Sequence, residues 1–323
     1  MSRVIECRHE KASAYLAMTA TEEKIITKIK RLKNERHAVI LAHNYQVGEI
    51  QDVADFIGDS LELCQKAAKT DAEIILFCGV QFMAETAAVL CPNQQVLMPD
   101  LSAGCGMSEM ISVEDLRKIK TAHPDAAVVC YVNSSAAVKA ESDICCTSSN
   151  AKRVVESIPE DREIIFIPDQ YLGAHVMRQT GRHMILYNGY CPTHVRIMAS
   201  EIQEVKSRYP DAPVLAHPEC TEPVSQSADF VLSTSGIALQ AGKSSAQKMI
   251  VATETGMLHR LSKENPGKEF IPACSYCNCA HMKVNDLEKV LWSLEEMQYP
   301  VTVTKEVAKR AKAAIDRMLA ISG

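Results

Sequence analysis

No uninterrupted apolar run of the ~18 residues needed to cross a bilayer occurs in this chain of 323 residues. The nearest, from Ile74 to Leu90, is broken by Gln81 and Glu85. The first residues, MSRVIECRHEKASAYLAM, scatter charges throughout and hold no apolar core of signal-peptide length, so a cytoplasmic protein is expected. A basic excess is lacking too. The formal net charge of -5 leaves no electrostatic footprint for nucleic acid or an anionic membrane, and neither is expected as a partner. No Pro/Gly-rich stretch sets one part of the chain apart from another, so its units should pack closely. With 47% hydrophobic and 23% charged residues the composition is that of a globular protein, long enough for three units of roughly 85 to 110 residues.

Cysteine is what the chain has in quantity. Thirteen is an odd count, better read as thiols, metal ligands and small core residues than as a disulfide framework. Cys64, Cys78, Cys130, Cys145 and Cys146 lie in apolar surroundings and read as core. The densest cluster is ACSYCNCAHM, from Ala273 to Met282, with Cys274, Cys277 and Cys279 inside six positions. Cys279 stands 88 residues after Cys191, which stands 86 after Cys105.

The same intervals recur in other residues. They separate His43, Tyr131 and His217, and again Ser60, Ser148 and Thr234. Short apolar runs, Val39 to Ala42, Ala127 to Cys130 and Val214 to Ala216, precede the first of these sets. This is the pattern of one supersecondary unit present three times, its copies meeting about a pseudo-threefold axis.

Apolar runs alternating with helical patterns predict an α/β protein of three related three-layer αβα domains with short parallel sheets. The divisions expected are an extension over 1–18 and domains over 19–124, 125–209 and 210–323. Thr19 with Glu22 reads as a capping box opening a helix to Glu35, and Asp52 to Lys69 as a second helix broken at Gly58-Asp59-Ser60. Two capped helices, from Asn285 and Thr304, close the chain.

Residues two apart in extended chain face the same side, so the first-strand ends present His43 with Tyr45, Tyr131 with Asn133 and His217 with Glu219. Ligands of parallel α/β sheets bind beyond the carboxyl ends of strands. A lone buried histidine is more often a satisfied core residue than a site residue, yet three matched recurrences favour a site. Ser60, Ser148 and Thr234 read as helix N-caps, a role compatible with holding an anion at a helix start.

Cys274 and Cys277 make a lone CxxC, with no second pair to complete a local zinc site, and could be an exposed dithiol. Three thiolates from three domains suit a [4Fe-4S] cluster with one open iron, a Lewis acid fit for dehydration. Cys279 keeps the 88-residue interval and is the ligand expected from the last cluster.

The segments LAHNYQ (41–46), IGDS (57–60), PDLSAGC (99–105), CYVNSSAAVKAESDICCTSSNA (130–151), AHPEC (216–220), STSG (233–236), TETGMLHRL (253–261) and CNCAHM (277–282) together resemble the quinolinate synthase family. The resemblance covers nearly the whole chain beyond the first 18 residues. It implies condensation of iminoaspartate with dihydroxyacetone phosphate to quinolinate in de novo NAD biosynthesis, on an oxygen-sensitive [4Fe-4S] cluster. It implies Cys105, Cys191 and Cys279 as cluster ligands. By the same resemblance His43, Tyr45, Ser60, Tyr131, Asn133, Ser148, His194, His217, Glu219 and Thr234 form the substrate pocket.

Residue chemistry assigns proton transfers to Glu219 with His217, and the phosphate-leaving and carbon-carbon bond steps to Tyr45 and His43. An aspartate oxidase or dehydrogenase is the expected supplier of the imine. Members of the family often carry CxxCxxC where this chain is one residue shorter. Two other readings stay open: a non-catalytic iron or oxygen sensor, and a zinc hydrolase using His43, His194 and His217.

Overall fold

The structure, a computed structural model, describes residues 20–322; the expected extension and the Thr19 cap lie outside them. Its first sheet is built from α1 (Ala20–Glu35), β1 (Ala38–His43), α2 (Gly48–Val53), β2 (Phe56–Gly58), α3 (Ser60–Ala67), β3 (Ile74–Cys78), α4 (Gln81–Leu90) and β4 (Gln95–Leu97). A 3-10 turn and α5 (Val113–Ala122) lead to β5 (Ala127–Tyr131), α6 (Ala136–Ala140), β6 (Ile144–Cys146), α7 (Ala151–Glu156), β7 (Ile164–Ile167), α8 (Gln170–Thr180) and β8 (Ile185–Leu186). A second such turn and α9 (Ala199–Arg208) lead to β9 (Val214–Ala216), α10 (Glu222–Gln226), β10 (Phe230–Val231), α11 (Thr234–Lys243), β11 (Lys248–Ala252), α12 (Met257–Glu264) and β12 (Glu269–Pro272). A third turn, α13 (Leu287–Glu296) and α14 (Lys305–Ser322) follow.

The three sheets are parallel and share one strand order: β2-β1-β3-β4, β6-β5-β7-β8 and β10-β9-β11-β12. Helices flank each sheet. Strands buried on both faces need continuous apolar runs, and Ile74–Cys78, Ala127–Tyr131 and Ile164–Ile167 are buried throughout. In each sheet the chain leaves the first strand to one side and returns on the other. The ends of β1, β5 and β9 therefore sit where the strand order reverses, the place in such sheets where a crevice opens.

One device recurs in all three. The second residue or so of each first strand donates its N–H to an aspartate 15 positions later, Ile40 to Asp55, Val128 to Asp143 and Val214 to Asp229, at 2.7 to 2.8 Å. Each aspartate N–H returns to the carbonyl of the same strand residue. The paired bonds anchor the edge strand's entry in the same register each time.

The carboxyl-terminal helices pack on the earlier units. Helix α13 lies on α1 and α14 on α6 and β6, while Tyr299 exchanges backbone hydrogen bonds with Met98 beside β4. No helix among the described residues is long and apolar enough to cross a membrane.

Local expectations differ from the structure at four places. The helix expected over Asp52 to Lys69 instead gives the end of α2, the three-residue edge strand β2, and α3. Asp286, not Asn285, caps α13 by accepting from the Lys289 N–H, and Asn285 is buried with its amide on the Gly79 carbonyl. The caps of α3, α7 and α11 are Asp59, Asn150 and Ser233, not Ser60, Ser148 and Thr234, so those three hydroxyls are not spent on capping. Cys274 and Cys277 are buried and disulfide-bonded rather than an exposed dithiol.

Candidate functional site

Each of the three ligand cysteines expected from the sequence opens a 3-10 turn three residues later, at Ser108–Met110, His194–Arg196 and Met282–Val284. Each turn is closed by a hydrogen bond to the cysteine carbonyl, from Glu109, Val195 and Lys283. Cys105, Cys191 and Cys279 are half-buried, whereas the other free cysteines among the described residues are buried. Gly106 lets two of these turns meet: a Cβ there would lie 3.0 Å from Cγ of Pro192, next to Cys191.

The three turns and the three polar strand ends line one cavity of about 280 Å³. All thirteen residues expected at the site are among those lining it, His43, Tyr45 and Ser60 from the first sheet's loops, Tyr131, Asn133 and Ser148 from the second's, His217, Glu219 and Thr234 from the third's, with His194 and the three cysteines on the turns. Its size suits a small metabolite rather than a polymer.

Glu219 is the centre of the polar network. Its carboxylate accepts from the Tyr131 hydroxyl at 2.6 Å, from Nδ1 of His194 at 2.8 Å and from the Asn133 amide at 3.4 Å. Burial alone would push its pKa up; the His217 and His194 imidazoles and the hydrogen bonds from His194 and Tyr131 outweigh that and hold it down to about 2. Burial lowers His217 to about 3, against the opposing pull of Glu219, so it is uncharged near neutrality.

A carboxylate only accepts, so Nδ1 of His194 carries a proton, and Nε2 lies 2.8 Å from Thr253 Oγ1. Thr253 in turn lies 2.6 Å from the Tyr45 hydroxyl. Burial raises both Tyr45 and Tyr131 well above the ordinary phenol value, which keeps them protonated donors.

His43 is lowered to about 4 by burial, against the opposing pull of Asp59 and Glu219. It accepts the Tyr45 N–H at Nδ1 and packs edge-on to the Tyr45 ring, 4.6 Å between centroids. His217 stacks on His194 at 4.7 Å. Asn133 Oδ1 is buried with no partner among the described residues, an acceptor free for a substrate donor.

Sequence reasoning assigned no role to the loop after β11. Glu254 is fully buried; its Oε1 accepts from the Cys279 N–H at 3.0 Å, and Lys283 pairs with it at 3.0 Å while also reaching the Tyr45 carbonyl. Gly256 makes room, since a Cβ there would lie 2.7 Å from both Glu254 Oε2 and Lys283 Nζ. Thr253, Glu254 and Gly256 all fall in the TETGMLHRL segment, which was the available signal.

Two donor sets could hold a metal. Among the described residues, Cys191, His194 and Glu219 bring their ligand atoms within 4.8 Å of one another; His43 and His217 do not join that group. The three half-buried thiols are the second. Burial pushes Cys105 up to about 12 and raises Cys191 and Cys279, with Glu219 adding to the first two and Cys279 adding to Cys105. Thiolates are disfavoured in that place unless a cation shares it, which is what an iron-sulfur cluster provides. The residues present fit such a group.

A family model described as Quinolinate synthetase A protein matches residues 27–320. The chain is 54% identical over 299 residues to a quinolinate synthase of Dehalococcoides mccartyi strain CBDB1, covering 93% of this chain and 99% of that one. It is 52% identical over 301 residues to a quinolinate synthase of Geobacter sp. strain M21, covering 93% and 99%. Over 303 residues it is 51% identical to quinolinate synthase 2 of Methanosarcina acetivorans, covering 94% and 97%. Matched from α1 to α14 by one family model and by relatives of nearly equal length, the chain belongs to the quinolinate synthetase A family.

Proposed function

We propose that this chain is a quinolinate synthase, a cytoplasmic transferase of de novo NAD biosynthesis that condenses iminoaspartate with dihydroxyacetone phosphate into quinolinate, inorganic phosphate and two waters. Its cofactor is a [4Fe-4S] cluster on Cys105, Cys191 and Cys279, with the three domains disposed about a pseudo-threefold axis. Family membership supports this, and one observation on the molecule carries it. Three half-buried free thiols, each opening an equivalent turn, line the same cavity as three polar strand ends. When bound, the cluster supplies an open, Lewis-acidic iron beside the substrate.

The protein's own groups do the rest. Ionised Glu219 takes and returns protons during isomerisation and dehydration, with uncharged His217 beside it as partner. Tyr131 and His194 hold the carboxylate in place by donating to both of its oxygens, and Asn133 offers its unpaired Oδ1 to the substrate. Tyr45, kept protonated, donates at the phosphate-leaving and carbon-carbon bond steps with His43 beside it. Ser60, Ser148 and Thr234 hold carboxylate or phosphate oxygens. The burial of these groups keeps bulk water from the imine. An imine so readily hydrolysed calls for a supplier, an aspartate oxidase or dehydrogenase.

Anaerobic purification, iron and sulfide counting and an assay for quinolinate test this together. About four irons per chain with quinolinate formed is the expected result. Iron without quinolinate would favour the sensor over the enzyme. A colourless protein with zinc on Cys191, His194 and Glu219 would sink the cluster.

A further inference from the structure

Thr234 is 2% exposed and lines the cavity, and its Oγ1 accepts a hydrogen bond from Nδ2 of Asn44 at 2.8 Å. Asn44 is fully buried and held at both ends of its backbone, its N–H on the Gly58 carbonyl and its carbonyl on the Gln51 amide. Its side-chain Oδ1 accepts from Nη1 of Arg260 at 2.8 Å. A guanidinium has no acceptor, so it can bind only the oxygen of an amide. Arg260 therefore fixes which way the Asn44 amide lies. The amide must then donate to Thr234, and the Thr234 proton finds no acceptor among the described residues.

Arg260 reaches a second corner of the cavity as well. Its Nη1 lies 3.6 Å from Oε2 of Glu62, and that oxygen accepts the N–H of Asp59 in the capping box of α3, whose first residue is Ser60. Asp59 Oδ2 accepts from the Ser149 hydroxyl at 2.5 Å, beside Ser148. One cation from α12 thus touches both Asn44, which holds Thr234, and Glu62, in the capping box just before Ser60. The Arg260 side chain is 14% exposed, so its hydrogen bond to the buried Asn44 is sheltered from solvent, whereas Glu62 is 42% exposed and that pair is screened.

We infer that Arg260 and Asn44 are positioning residues that commit the Thr234 hydroxyl to donate its proton to a substrate oxyanion, a carboxylate or phosphate oxygen. This rests on the quinolinate synthase reading of the cavity. Neither residue touches the substrate; both act through Thr234.

Asn44→Asp is the sharpest test. The new carboxylate pairs with Arg260 and accepts from Thr234, so the fold keeps its contacts while the Thr234 proton turns away from the cavity. A purely structural role predicts unchanged kinetics. The positioning role predicts a KM raised ~10- to 100-fold with kcat changed far less, the scale of losing one charge-assisted hydrogen bond. Calorimetric titration of the iron-loaded enzyme with quinolinate and, separately, with inorganic phosphate identifies the oxyanion by which affinity falls.

In a Thr234→Val background the Asn44→Asp effect should vanish, and Thr234→Ser should restore it. Arg260→Gln gives the same cycle by a second route if Asn44→Asp does not fold. Unchanged KM and both affinities, or an equal effect without the Thr234 hydroxyl, would overturn the inference. Absence of quinolinate from the unaltered enzyme would instead overturn the function on which it rests.

Discussion

Glu219→Gln separates the chemistry of the site from its architecture. The replacement is nearly isosteric but swaps one acceptor oxygen for an NH₂ in a network where Tyr131, His194 and Asn133 all donate to the carboxylate. The Tyr131 hydroxyl can rotate and accept instead, so the stability cost is about 1 to 2 kcal/mol, the price of one imperfect buried hydrogen bond. The catalytic cost is larger. Removing an acid/base group at the reacting atoms takes away ~10²- to 10⁴-fold in rate, about 3 to 5 kcal/mol of barrier. Quinolinate formation measured anaerobically should fall by that factor, while iron and sulfide per chain in the same preparation stay at the unaltered level. A kcat within about threefold of the parent, with iron retained, would refute the assignment of proton transfer to Glu219.

Single changes of Cys105, Cys191 or Cys279 to Ser should each abolish stoichiometric iron and the brown colour, whereas Cys274→Ser should retain both; iron lost only from the latter would move the ligand assignment. Acid should weaken the iron-free chain through His43. Its native pKa of about 4 lies below the unfolded value of 6.5, so the unfolded chain binds more protons between them and stability falls as pH drops through that window. Urea unfolding at pH 5 against pH 7.5 should show about 2 kcal/mol less from this residue, a difference missing in His43→Gln. Asp143→Leu should cost about 1 kcal/mol in urea titration by orphaning the Val128 N–H, while Asp143→Asn, which keeps an acceptor oxygen, should be close to neutral.

Chemistry repeated at one register is what made the site legible in the sequence. Three parallel sheets with one strand order must bring the ends of β1, β5 and β9 to equivalent places, and a residue needed there recurs at the unit's own length. His43, Tyr131 and His217 do so, and so do the cysteines that open the three turns. Glu254, Thr253 and Arg260 were not legible that way, because they come from the loop and helix after a third strand, β11, and have no counterparts at the 88- and 86-residue intervals. Their roles exist only through partners distant in sequence: the Cys279 amide, Tyr45 and Asn44. The strand β2 failed for a different reason. Three residues at a sheet edge, half-exposed, carry too little pattern to stand out from the helical spacing on either side.

The aspartate clamps mark the boundary between these cases. Asp55, Asp143 and Asp229 keep the same intervals as His43, Tyr131 and His217, yet they are partly exposed carboxylates in loops, and nothing in their type points to a task. Their pairing with Ile40, Val128 and Val214 supplies the meaning: each ties the loop entering an edge strand to the start of the neighbouring first strand. A first strand held at its start in the same register delivers its carboxyl end to the same point. The residues two apart at that end, His43 with Tyr45, Tyr131 with Asn133 and His217 with Glu219, then face the cavity together. Recurrence in the polar pairs and recurrence in the clamps are therefore one constraint seen at the two ends of a strand. Loosening a clamp should disturb the cavity corner its own sheet supplies before it disturbs the other two.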